Sequence, residues 1–165
     1  MTYLTRIDCA DWFLDRDRFA ILTHRKPDGD TLGSAAALCL GLRQLGKTAY
    51  VLENPEVTEL FAPLMEGITK PQPQEGDLLV AVDVAADHML PKAFEHLKNS
   101  IDLRIDHHGS GREYTPQELV ETDSASCAEI IWELLLEMDV VLDKSIAEAI
   151  YVGTATDTGC FRFAN

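Results

Sequence analysis

Positive charge is scarce in this sequence: 14 Lys and Arg stand against 28 Asp and Glu, a formal net charge of −14. A protein that grips long nucleic acid by its phosphates is usually basic on the gripping face. Long duplex partners are therefore not expected unless bound cations reverse the sign locally. No apolar run approaches the roughly 20 residues of a membrane helix, so no membrane partner is expected. The opening stretch, MTYLTRIDCADWF, lacks the apolar core of a secretion signal. Four cysteines (Cys9, Cys39, Cys127, Cys160) lie far apart and form no C-x-x-C pair. They read as free thiols of a reducing, cytoplasmic compartment rather than disulfide or zinc ligands. Internal repeats and low-complexity tracts are also missing.

What remains is ordinary globular composition over 165 residues, 46% hydrophobic and 25% charged, enough for one domain with one sizeable core. Apolar runs alternate with helical patterns, the signature of βαβ units and a parallel sheet. The spacing predicts a helix over 8–16 capped by Asp8, a strand over 19–24, a helix from Thr31 to Leu45 stopped by Gly46, and a strand over 48–53. Residues 54–76 read as loop with one short helix near 57–66. Strands follow over 78–83 and 101–106, with a helix over 86–98 between them. Ser126 and Glu129 form an S-x-x-E capping box, and Asp143 caps a last helix that runs into GTATDTGCFRF. The expected fold is α/β, a parallel sheet with helices on both faces.

His24, Asp83 and Asp106 end three of the predicted strands. In open parallel sheets ligands bind outside those ends, so these residues converge on one rim. The same rim receives Asp28 and Asp30 from HRKPDGD (24–30), His107 and His108 after Asp106, and Asp157 after the last helix. Gly29 permits an unusual backbone angle between the two aspartates. Gly33 and Ser34 are read as a helix start without bulk, open to a phosphate. So many carboxylates cannot all stay ionised without cations. Oxygen-rich ligation with some imidazole and no thiolate suits manganese or magnesium better than zinc. Each piece has a bland alternative: a solvated DGD turn, a helix-capping Asp83, a surface DHH loop, a helix-stop Asp157. The joint order at strand ends is hard to obtain by chance. His88 and His96 read as ordinary surface residues.

At this point the sequence resembles the DHH phosphoesterase family. The ordered motifs are H-R-K-P-D-G-D-T-L-G-S (24–34), A-V-D (81–83), I-D-H-H (105–108) and G-T-A-T-D-T-G-C-F-R-F (153–163). The resemblance implies two divalent ions, manganese foremost, with magnesium or cobalt as alternatives. His24 and Asp28 would hold one ion, Asp30, His107 and Asp157 the other, and Asp83 would bridge. Asp106, His107 and His108 form the implied catalytic triplet, with Asp106 orienting an imidazole and His108 touching the scissile phosphate. Arg162 is a candidate phosphate contact, with a surface arginine as the alternative.

Within the family the motifs most resemble the nano-RNase group. The resemblance implies hydrolysis of short oligoribonucleotides and of 3'-phosphoadenosine 5'-phosphate by water activated at two metals. Alternatives are a cyclic or linear di-adenylate phosphodiesterase, a manganese inorganic pyrophosphatase, or a non-catalytic metal- and nucleotide-binding fragment. Implied partners are short oligonucleotides or small phosphorylated nucleotides, and a homodimer stays open. Family members carry a second, substrate-gripping domain with a G-G-G-H motif, which nothing here matches. Residues 1–165 are thus expected to be one catalytic domain without that second domain.

Overall fold

Six parallel pairings build a seven-stranded sheet in the computed structural model, which describes residues 1–109, 111 and 113–163. The strands are β1 (Thr2–Tyr3), β2 (Phe19–Leu22), β3 (Ala49–Leu52), β4 (Thr69–Lys70), β5 (Leu78–Val82), β6 (Leu103–Asp106) and β7 (Gln117–Val120), ordered β1-β7-β6-β5-β2-β3-β4. The helices are α1 (Arg6–Leu14), α2 (Gly29–Gln44), α3 (Ala62–Met65), α4 (Cys127–Glu137) and α5 (Lys144–Asp157). The expected α/β class with a parallel sheet is what the chain adopts.

Side chains alternate along each strand. Phe19, Ile21, Val51, Val80, Val82, Leu103 and Ile105 enter one core with α1, α2, α4 and α5. Ala20, Leu22, Tyr50, Leu52, Leu79 and Ala81 enter a second, smaller core on the opposite face with Leu90, Phe94 and Ile101. That second face is covered by two 3-10 turns, Asp87–Met89 and Lys92–Leu97, where one α-helix over 86–98 was expected. Pro91 separates them. It holds Leu90 extended at ψ 146 and cannot donate the bond a continuous helix needs.

Helix starts also shift. Thr5 caps α1, and Asp8 is the third-position partner of that capping box rather than the cap. Asp28 caps α2, so the helix begins at Gly29, before its apolar stripe. Gly33 and Ser34 therefore lie fully inside the second turn. A Cβ on Gly33 would overlap the Ala149 carbonyl, so its small size serves the crossing of α2 over α5 and not an approaching phosphate. Ser126 caps α4 as expected, but Glu129 reaches the Ala125 amide, one residue upstream of the box position. Asp143 caps α5. Cys9, Cys39 and Cys127 are buried free thiols and Cys160 is exposed. Among the described residues no helix is long and apolar enough to cross a membrane.

The chain leaves β2 toward β3 and β4, then returns to place β5 on the other side of β2. The carboxyl ends of β2 and β5 therefore flank the reversal of strand order, where such sheets form a crevice.

Candidate metal centre

Every predicted residue from the strand ends arrives at that crevice. His24 stands two residues past β2. Its Nδ1 sits 2.7 Å from the Arg25 carbonyl, which leaves Nε2 3.6 Å from both Asp28 Oδ1 and Asp83 Oδ2. Asp28 does two jobs, since Oδ1 also accepts the Asp30 and Thr31 amides as the cap of α2. Asp83 follows β5 with φ +57, a left-handed backbone that a non-glycine residue adopts at a cost and that clusters at functional sites.

On the other side, His107 Nδ1 faces the Ser124 carbonyl at 3.3 Å. Its Nε2 stands 3.8 Å from Asp30 Oδ2, 3.8 Å from Asp83 Oδ1 and 3.7 Å from Asp157 Oδ2. An imidazole fixed through one nitrogen with the other aimed at carboxylates is the arrangement of a metal-ligating histidine. Asp157 is the last residue of α5 rather than a residue beyond it. Both oxygens of Asp30 accept first-turn amides of α4, from Cys127 at 2.8 Å and Ala128 at 2.9 Å. Asp106 orients His108, not His107: its Oδ1 meets the His108 amide at 3.0 Å and Nδ1 at 2.8 Å.

Electrostatics of the cluster show the crowding. Burial, reinforced by the Asp83 charge, pushes Asp30 up to about 8 despite its two amide partners. Burial likewise raises Asp83 and Asp157. Burial works against charge on His24, but pairing with Asp28 and Asp83 outweighs it and lifts the imidazole to about 10. The Asp106 carboxylate, against a smaller cost of burial, raises His108 to about 9. Buried carboxylates that resist ionisation, beside imidazoles that cling to protons, form a site short of positive charge.

Three sets of donors could each hold a cation: His24, Asp28 and Asp83; Asp83, His107 and His108; Asp30, His107 and Asp157, the donors of each set lying within 4.8 Å of one another. Asp83 Oδ1 and His107 Nε2 are buried and make no hydrogen bond. Orphaned buried polar atoms are rare and costly, and both point into the cluster. The donor set of carboxylates and imidazoles with no thiolate fits a hard divalent ion. A cavity of about 370 Å³, lined by His107, His108, Gly109, Thr122, Ser124 and Asp157, opens beside it.

Arg162 does not join the cluster. It lies exposed on the turn after α5, and among the described residues no hydrogen bond or ion pair links its side chain to the cluster. His88 and His96 are exposed, as expected. Asn54 was missed. It is buried after β3, and its Nδ2 donates to the His24 carbonyl at 2.9 Å and to Thr23 Oγ1 at 3.0 Å. The strand-end rule that located His24 applies equally to Asn54, two residues past Leu52.

The model described as "DHH family, N-terminal domain" matches residues 18–154. The "Bifunctional oligoribonuclease and PAP phosphatase NrnA" of Thermus thermophilus is 33% identical over 147 residues, which cover 88% of this chain and 44% of that protein. The crystal structure of an exopolyphosphatase-related protein from Bacteroides fragilis superposes with TM-score 0.74 at 24% identity, over 96% of this chain and 52% of that one. Exonuclease RecJ bound to manganese shares the fold with TM-score 0.61 at 18% identity, over 95% of this chain and 44% of that one. The chain spans less than half the length of the curated relatives it matches.

Proposed function

This chain belongs to the DHH family, and on that premise we propose that it is the metal-holding, hydrolytic part of a phosphoesterase. Its proposed substrates are short oligoribonucleotides and 3'-phosphoadenosine 5'-phosphate. The single observation that supports this best is the buried, unbonded pair Asp83 Oδ1 and His107 Nε2, facing each other at 3.8 Å amid six further acidic and imidazole side chains.

His24, Asp28 and Asp83 would hold one divalent ion, and Asp30, His107 and Asp157 a second, with Asp83 shared. Manganese is the favoured ion. When bound, such ions lower the pKa of water and offset charge on a transferring phosphoryl group. The remaining work falls to the chain. Asp106 keeps the His108 Nδ1 engaged, so that Nε2 is the nitrogen available to a phosphate oxygen. Ser124 and Arg25, through their carbonyls, fix which nitrogens of His107 and His24 face the cluster. The cavity of about 370 Å³ beside His108 is of a size for a small phosphate ester. Arg162, apart from the cluster on the exposed turn after α5, would meet a phosphate only on a substrate that extends to that turn. Buried thiols and nucleotide substrates fit a cytoplasmic enzyme.

The test is hydrolysis of a labelled RNA dinucleotide and of 3'-phosphoadenosine 5'-phosphate by the chain with manganese. Release of mononucleotide and phosphate is expected, abolished by chelator and reduced about a hundredfold or more in Asp83→Asn. Turnover indifferent to chelator would defeat the reading. Pyrophosphate hydrolysed faster than either substrate would replace it with a pyrophosphatase.

A further inference from the structure

Arg104 is the largest of the fully buried side chains among the described residues. Along β6, Leu103 and Ile105 enter the helix-covered core. Arg104 and Asp106 therefore share the opposite face. Glu118 of β7 stands directly across from Arg104 in the strand register. Burying an arginine is costly unless its charge is matched. Here Nη1 lies 3.7 Å from Glu118 Oε2, Nε lies 3.5 Å from Asp106 Oδ2, and the guanidinium stands over the Tyr114 ring at 5.5 Å. Nη1 also donates to the Ala85 carbonyl at 3.5 Å.

The partners are themselves held. Glu118 Oε1 accepts the Tyr114 amide at 3.2 Å and the Thr115 hydroxyl at 3.3 Å. Gly111 closes over the guanidinium: a Cβ there would lie 2.7 Å from both Arg104 Nη2 and the Ala85 carbonyl. Gly111, three residues after His108, thus rests directly on this arginine.

The Asp106 carboxylate divides its oxygens. Oδ1 takes the amide and Nδ1 of His108, while Oδ2 turns to Arg104. Rotating that carboxylate would break both relationships together. We infer that Arg104 is a positioning residue: its buried guanidinium, ion-paired through Nε at 3.5 Å to Asp106 Oδ2 without a hydrogen bond between those two atoms, holds that oxygen to one side so that Oδ1 stays on His108 Nδ1 and Nε2 faces the cavity. The consequence for hydrolysis rests on the proposed role of His108, but the positioning itself does not.

The experiment is long-range proton–nitrogen spectroscopy of the histidine rings in the ¹⁵N-labelled chain, at one pH, metal-free and with magnesium. The parent should show a slowly exchanging His108 Nδ1–H. In Arg104→Met that proton should exchange at least about tenfold faster, the factor a charge-assisted hydrogen bond carries. The rings of His24 and His107 should be unchanged. Arg104→Lys should recover part of the slowing. Arg104→Met/Glu118→Gln, which removes the buried acid left without its cation, gives the same reading in a fold relieved of that charge. An unchanged His108 Nδ1–H in these variants, with only the melting temperature lowered, would reduce Arg104 to a charge neutraliser and overturn the inference. A parent chain that hydrolyses no phosphoester would defeat the functional reading while leaving this result to be judged by the spectra alone.

Discussion

Gly33 in α2 meets the backbone of Ala149 in α5 so closely that a single added methyl group would overlap the Ala149 carbonyl. A Cβ on Gly153, one turn further along α5, would likewise overlap the Ala128 side chain and crowd the Asp30 carboxylate. This close crossing sets Asp157, at the end of α5, beside Asp30, near the start of α2. Gly33→Ala should therefore destabilise the fold by about 1–3 kcal/mol, the usual cost of overpacking, and weaken metal binding with it. Thermal melts with and without manganese check both. A variant of parental stability would show that the crossing yields more easily than described.

Asn54 ties the His24 loop down through three bonds, two donated to Thr23 and His24 and one accepted from the Glu56 amide at 3.0 Å. Asn54→Ala leaves a buried carbonyl and hydroxyl without that partner, a cost of about 1–3 kcal/mol. Manganese affinity should fall as well, because His24 loses its anchor. Calorimetry on the variant would reveal an Asn54 of purely structural value if affinity were retained.

The metal-free chain should lose stability as pH rises from about 6 to 8.5. Asp30 titrates about 8 in the fold against 3.8 for the ordinary carboxyl, so unfolding releases a proton throughout this window. His24 and His108, raised from 6.5 to about 10 and about 9, act with the same sign: their stabilisation is full below 6.5 and fades above it. Asp28, shifted downward, matters only in acid. Divalent cations compete for the same atoms, so manganese should bind more tightly and stabilise more as pH rises. Melting temperatures across the window, in chelator and in manganese, test this. A metal-free melting temperature that climbs with pH would contradict it.

The site was legible in the sequence because its residues lie at short, regular distances from strand ends, and strand ends share one rim whatever the topology. His24, Asp83, Asp106 and the residues flanking them needed no knowledge of strand order. Other features did. The strands β1 and β4 have two residues each, too few to show a period, and β7, QELV, alternates too briefly to stand out. The pairing of Arg104 with Glu118 depends on a register that only the assembled sheet defines. The Gly33 contact likewise comes from α5, more than a hundred residues away, and local reasoning misassigned it to a phosphate. The helical spacing over 86–98 likewise gave no sign that Pro91 divides the covering segment into two turns.

Asp83 belongs to two of the three donor sets that could hold a cation, so it is the residue on which a shared site depends. Calorimetric titration of the metal-free chain with manganese, beside Asp83→Asn, tests it most directly. Two binding events in the parent, with one or both weakened at least about tenfold in the variant, are the predicted result. No binding by the parent, or binding indifferent to Asp83, would contradict the account.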